Sequence, residues 1–157
     1  MAFTTFSGPV RSGTVREGAG RNTGLVVLAQ SYNSGDLTGD EVGNIDALAF
    51  KIPQGSQIVD ITVDQIVAAT AGTTTVSVGS TSGGAELMAA VATTAGGRFR
   101  GTATAATQAA WQTSTSADTS VYVRVAVGTA TLTAGQFIVT VSYVQRASNG
   151  AQNPASA

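Results

Sequence analysis

The chain has 157 residues, a length that suits one domain with a hydrophobic core of its own. It contains neither cysteine nor histidine, which excludes disulfide bonds, thiolate chemistry, Cys/His zinc sites and Ser-His-Asp or Cys-His catalytic groups. The net charge is −1, and charged residues make up 11% of the chain against about 25% in an average protein. Because nucleic-acid binders need a basic surface, we expect no nucleic-acid partner. We also expect no cofactor, no metal site and no enzymatic activity.

Hydropathy argues against a membrane role. The longest apolar runs, such as 25–29, have only five or six residues, whereas a membrane-spanning helix needs roughly 20. The first six residues have neither the basic start nor the apolar block of a signal peptide. We therefore expect a protein without membrane contact that is made in a cytoplasm and is not exported by the usual route.

Alternating β-branched residues predict strands through the middle of the chain. In the clearest run, 120–127, four valines share one face. A second run, 136–144, alternates in the same way but carries Ile138 and Val144 on its other face, so we expect this strand to be covered on both sides. The two runs are expected to form sequential, antiparallel strands.

Shorter runs of the same kind, separated by turns rich in glycine and asparagine, predict further strands. In 57–67, Val59, Ile61 and Val63 are expected on one face, and the opposite face is expected to be polar. Only 85–92 has a composition that favours a helix, of about two turns. The other predicted strands are 25–31, 47–52, 73–80 and, more weakly, 98–104.

This pattern predicts an all-β fold, a jelly roll or β-sandwich with an extended N-terminal arm and at most one short helix. The predicted arm is 1–23, the sandwich domain 24–146, and the flexible C-terminal tail 147–157. The arm has too few large apolar residues to bury itself. Its three regularly spaced arginines are expected to dock on another protein, the alternative being solvation of a disordered terminus.

The acidic residues form two groups that could be metal-binding or catalytic sites, but the spacing within each group argues against both functions. Asp36, Asp40 and Asp46 lie in a glycine-containing loop with Glu41, but their spacing differs from that of a calcium loop, so a solvated acidic loop is expected. Another pair, Asp60 and Asp64, could share a strand face, but four residues of strand separate them by about 13 Å. We expect an exposed polar face or a subunit contact there.

Two further features are less informative. The glycine-containing segment 18–24 has the wrong spacing for a phosphate-binding loop, and no helix is predicted after it. The single tryptophan, Trp111, is expected to fill the core, the alternative being an interface anchor.

Several segments follow one another in a distinctive order. They are 5–13 (TFSGPVRSG), 52–63 (IPQGSQIVDITV), 72–79 (GTTTVSVG), 85–91 (AELMAAV), 96–98 (GGR), 119–125 (TSVYVRV) and 133–145 (TAGQFIVTVSYVQ). This order resembles that of the capsid decoration, or cement, proteins of tailed bacteriophages, which have a jelly-roll fold. The resemblance covers roughly 5–145, including the start of the arm.

The resemblance implies a structural virion protein that is made in the host cytoplasm and lies on the outer capsid surface. Such a protein is expected to form a homotrimer and to clamp neighbouring subunits of the major capsid protein, with its arm reaching across the capsid surface. The arm residues expected at this interface are Phe3, Phe6, Pro9, Arg11, Arg16 and Arg21.

Two other functions stay open. The first is another virion component on the same scaffold, such as a tail, neck or fibre protein. The second is a carbohydrate-binding module, which is less favoured because aromatic residues make up only 6% of the chain and are scattered.

Overall fold

The computed structural model describes residues 27–70, 74–93, 95–100, 104–112 and 116–145. The predicted arm, the predicted tail and the segment 18–24 therefore lie outside the described residues. The same holds for all six arm residues expected at a capsid interface.

The described residues form eight strands and one short helix, which confirms the all-β prediction. In chain order they are β1 (Val27–Asn33), β2 (Gly43–Ile52), β3 (Ser56–Val67), β4 (Thr75–Gly79), β5 (Met88–Ala92), β6 (Gly97–Arg100), α1 (Ala105–Gln112), β7 (Thr119–Val127) and β8 (Gln136–Gln145). The single described helix is neither long enough nor apolar enough to cross a membrane.

The strands form two four-stranded antiparallel sheets. Sheet 1 has the order β1-β8-β3-β6, and sheet 2 has the order β2-β7-β4-β5. This is the strand order of an eight-stranded jelly roll, in which the chain crosses repeatedly between the two sheets. Strands β7 and β8 are sequential, as predicted, but they lie in different sheets and do not pair with each other.

The core lies between the inner faces of the two sheets, where β7 and β8 contribute most. The four valines of β7 are all buried, as are the alternating side chains of β8 from Phe137 to Tyr143. Both strands therefore alternate as predicted. On the outer face of β8, Ile138 is half-buried and Val144 is buried.

The predicted face of β3 is interrupted by a β-bulge. The register of β3 against β8 shifts between Ile58 and Asp60, so Val59 is an extra residue. As a result Ile61 and Val63 are fully buried, whereas Val59 is 50% exposed. The prediction that these three residues share one face is wrong for Val59.

The predicted helix is also misplaced. Within 85–92, Met88 pairs with Val78 and Val91 with Val76, so the segment forms an edge strand of sheet 2. Cross-strand packing thus overrides the weak helix preference of its alanines. The actual helix, α1, begins after Thr104, whose hydroxyl accepts a hydrogen bond from the Thr107 backbone nitrogen at 3.2 Å and so caps the first turn.

Candidate interaction site at the open end of the sandwich

One end of the sandwich is closed by two loops, and we call it the sealed end. Backbone hydrogen bonds join the loops: Leu37 N donates to Gly135 O at 2.9 Å, and Leu132 N donates to Asp40 O at 2.9 Å. Leu132 is only 1% exposed, because its side chain fills the space between the sheets. The two loops thus close the interior of the sandwich at this end.

The opposite end, which we call the open end, contains a cavity of about 270 Å³. Its walls come from the β2–β3 turn, the β4–β5 connection, the last turn of α1 and the start of β7. The lining residues are Ile52, Ser56, Ile58, Ser80, Glu86, Leu87, Ala110, Trp111 and Thr119. The open end therefore combines an apolar interior with polar groups.

Trp111 forms one wall of the cavity. Its indole Nε1 donates a 2.7 Å hydrogen bond to the carbonyl oxygen of Leu87. The side chain is half-buried and packs against the core, so it agrees with the expectation of a core residue but also faces the cavity. At the end of the helix, the side chain of Gln57 donates to the carbonyl oxygen of Gln112 at 2.5 Å and ties α1 to β3.

Two polar side chains of the cavity, Glu86 and Ser56, differ in their hydrogen bonding. Glu86 accepts hydrogen bonds from the backbone nitrogen and the hydroxyl of Ser80, at 2.6 and 2.5 Å. Burial raises the pKa of Glu86, but the hydrogen bonds from Ser80, together with those from the backbone of Thr81 and of Glu86 itself, hold the pKa below its usual value. By contrast, the buried hydroxyl oxygen of Ser56 has no hydrogen-bond partner among the described residues.

Both termini of the described sandwich leave from the open end. Val27 pairs with Val144, and Val144 pairs with Gln57, which follows the cavity residue Ser56. Adjacent strands lie about 4.8 Å apart, so the backbone of Val27 is about 10 Å from that of Gln57. Residues 1–26 and 146–157 therefore continue from the end that carries the cavity.

Beside the cavity, an ion pair joins β7 to β2, and a hydrogen bond joins the β4–β5 connection to β2. Arg124 on β7 donates two hydrogen bonds to Asp46 on β2, at 2.7 and 2.8 Å, and Ser82 donates to the same carboxylate at 3.3 Å. The hydrogen bond from Arg124 lowers the pKa of Asp46 below its usual value. Gly83 contacts the Arg124 guanidinium so closely that a Cβ atom there would overlap it.

The predicted polar face of β3 is present, but its charges are paired within the chain. Arg98 on the edge strand β6 contacts Asp64 at 2.5 Å, and Arg100 contacts Asp60 at 3.1 Å. The hydrogen bond from Arg98 lowers the pKa of Asp64. This ladder neutralises the two carboxylates and leaves the edge strand with two exposed guanidinium groups.

The acidic loop residues do not converge on one point. Asp36 accepts hydrogen bonds from the backbone nitrogen and hydroxyl of Thr38, at 2.9 and 2.6 Å, while Asp46 pairs with Arg124 as described. In the part of the chain that the structure describes, no three His, Cys, Asp or Glu side chains form a group that could hold a metal ion.

Sequence reasoning singled out Trp111 but missed its neighbours in the cavity. Ser56, Glu86 and Leu87 lie on different elements from Trp111, and no spacing rule connects them. The one available signal was the run 104–112, where Thr104 precedes alanines and glutamines typical of a capped helix.

Comparison with known proteins yields structural matches alone: no protein-family model and no curated protein matches the chain. A chain of the capsid of Ralstonia phage GP4 has a TM-score of 0.58 and 24% identity, over 88% of this chain and 93% of that one. A chain of the cyanophage Pam1 capsid asymmetric unit has a TM-score of 0.56 and 20% identity, over 85% and 94%.

A third match comes from the acid-stable capsid of the Helicobacter pylori bacteriophage KHP30. It has a TM-score of 0.55 and 13% identity, over 78% of this chain and 90% of that chain. All three matches cover nearly the whole of the other chain, so those chains carry no large additional domain. The chain therefore has the fold of small proteins found in three phage capsid structures.

Proposed function

We propose that this chain is a structural virion protein that decorates a bacteriophage head and clamps neighbouring major capsid subunits from the outer surface. The observation that carries the proposal is the fold shared with three phage capsid chains, each covered over at least 90% of its length. One small sandwich of this kind suits an accessory subunit that binds an existing shell.

The surface of the sandwich supports a role in subunit contacts. Among the described residues, seven large apolar side chains are exposed, and charged residues are scarce in the chain. Depletion of charged residues is typical of the centre of protein–protein interfaces. The exposed apolar residues are Val27, Leu28, Val42, Leu48, Val59, Ile66 and Val67.

The N-terminal arm supplies the contacts to the major capsid protein in this proposal. Phe3, Phe6 and Pro9 offer apolar groups to a neighbouring subunit, and the arginines offer forked donors that suit its carboxylates. An extended segment can cover a wide surface of its partner. The arginines assigned to this contact are Arg11, Arg16 and Arg21.

We propose further that three copies assemble around a closed symmetry axis. A homotrimer would cover half-buried apolar groups on the outer face of sheet 1, such as Ile138. Analytical ultracentrifugation of the purified chain tests this point: a trimer is expected, and a monomer at all concentrations would contradict it.

A binding experiment tests the role on the head. Recombinant protein is added to expanded heads that lack it, and the bound fraction is measured by sedimentation. The full chain is expected to bind, and a variant without residues 1–22 is expected to bind at least tenfold more weakly. A variant without residues 147–157 is the control and should bind like the full chain.

Two results would contradict the proposal. Equal binding by the full chain and the arm-less variant would contradict the role of the arm. Labelled protein that binds to tails or necks and not to heads would instead support another virion component.

A further inference from the structure

The cavity at the open end has the character of a peptide-binding site. Its volume of about 270 Å³ lies below the roughly 300–1,000 Å³ of sites for drug-sized ligands, so it suits one or two side chains. Ile52 and Leu87 are almost fully buried and provide an apolar interior. Trp111 adds an aromatic wall, against which another ring can pack edge to face.

The Ser56 hydroxyl is not open to an occupant. Ser56 is 7% exposed and lines the cavity, but its Oγ is buried. The expected occupant is therefore an apolar side chain that packs on Leu87 and Trp111, and a peptide segment with a phenylalanine provides one.

The chain itself supplies such a segment at this end. Residues 1–26 precede Val27, whose backbone lies about 10 Å from that of Gln57 by strand spacing. The 21 residues from Phe6 to Val27 can extend to about 70 Å, so Phe6 and Phe3 can easily reach the cavity. Every other phenylalanine of the chain already lies within the sandwich, at 50, 99 and 137.

We propose that the cavity binds an aromatic side chain of the N-terminal segment, Phe3 or Phe6. The inference goes beyond the proposed function and does not depend on it, because both partners belong to this chain. It makes the sandwich a receptor for the arm of the same copy. One phenylalanine then occupies the cavity, and the other arm residues stay available to the major capsid protein.

The fluorescence of Trp111 reports directly on this contact, because it is the single tryptophan of the chain. Removing residues 1–22 is expected to shift its emission to longer wavelength and to raise the iodide quenching constant at least twofold. The double variant Phe3→Ala/Phe6→Ala should behave like the truncation. A variant without residues 147–157 controls for loss of a terminus and should keep the spectrum of the full chain.

A peptide in trans makes the test quantitative. A synthetic peptide of residues 1–22, added to the truncated protein, should restore the emission of the full chain and bind saturably. Ala110 lines the cavity, so Ala110→Leu should weaken peptide binding at least tenfold. The matched control is Ala106→Leu, an exposed position on the same helix, which should leave binding unchanged.

The inference as a whole is overturned if neither truncation nor peptide changes the Trp111 signal. A change caused by glycans and not by the peptide would overturn it as well. Head binding, measured separately, distinguishes the two proposals. Protein that binds heads without any arm effect on Trp111 refutes this inference alone, and protein that shows the effect but binds no heads refutes the proposed function alone.

Discussion

Trp111 and Leu87, 24 residues apart in the chain, are joined by a 2.7 Å hydrogen bond from the indole nitrogen to the backbone carbonyl. The backbone nitrogen of Leu87 in turn donates to Val78 O at 3.1 Å, so one residue links α1 to the centre of sheet 2. Because Leu87 and Trp111 both line the cavity, this link fixes the position of one relative to the other.

Replacing Trp111 with Phe tests this link. The substitution keeps an aromatic ring but removes the donor, so the Leu87 carbonyl loses its partner. We expect a loss of about 1–2 kcal/mol in the free energy of unfolding, measured by urea denaturation with far-UV circular dichroism. A loss no greater than that of the exposed-site variant Thr131→Ala would show that the bond contributes nothing.

Two glycines with similar backbone angles provide a matched pair. Gly35 and Gly83 have φ values of +73° and +78°, but a Cβ atom meets nothing within 4 Å at Gly35 and overlaps the Arg124 guanidinium at Gly83. Gly35→Ala should therefore cost only the backbone strain, about 1 kcal/mol. Gly83→Ala should cost at least about twice that, because it also displaces Arg124 from Asp46. Equal losses in urea denaturation would mean that the β4–β5 connection moves aside freely.

Three carboxylates, two in ion pairs and one that accepts hydrogen bonds from Ser80, are expected to make the protein less stable in acid. The folded-state pKa values of Asp46 and Asp64 lie below the usual 3.8, and that of Glu86 lies below the usual 4.5. A lowered folded pKa stabilises the protein above the unfolded value, and this stabilisation disappears as the pH falls through the folded pKa. The urea midpoint should thus be nearly constant from about pH 6 to 7 and decrease below about pH 4.5.

Asp46→Asn identifies the contribution of one group to this acid loss. The variant should have a lower midpoint than the unchanged protein at neutral pH, and the difference should shrink toward pH 3. A constant difference at every pH would show that the effect of Asp46 is steric and not due to its charge.

We expect the two arginines of β6 to contribute little to the stability of the fold. Their main effect should be to prevent the edge of sheet 1 from pairing with another molecule. Both ion pairs are largely solvent-exposed, and such pairs contribute little to stability. Arg98→Thr/Arg100→Thr should therefore leave the urea midpoint nearly unchanged but increase light scattering at high concentration, because charged side chains discourage edge-to-edge pairing. Asp60→Asn/Asp64→Asn breaks the same pairs while keeping the arginines, and a concentrated solution of this variant should show no increase in light scattering. Equal scattering by both variants would refute the edge role.

The strands that pack on the core could be predicted because period-two burial is visible in the sequence. In β7 every second residue from Val121 to Val127 is buried, and in β8 the same holds from Phe137 to Tyr143. These strands lie in the interior of their sheets, where neighbours on both sides fix the pattern.

The incorrect predictions concern segments whose conformation depends on contacts with strands distant in the sequence. The bulge at Val59 depends on the pairing of β3 with β8, and the strand at Met88–Ala92 depends on its pairing with β4. The cavity could not be predicted either, because it needs Ser56, Leu87 and Trp111 to meet from three separate elements. Local sequence patterns do not show which distant residues come into contact.

The central claim requires that a bacteriophage encodes this chain, and an electron cryomicroscopy reconstruction of that particle tests it most directly. The claim predicts an eight-stranded sandwich on the outer surface of the head, in contact with at least two major capsid subunits. Density for the chain confined to the tail or neck, or a head surface without it, would contradict the claim.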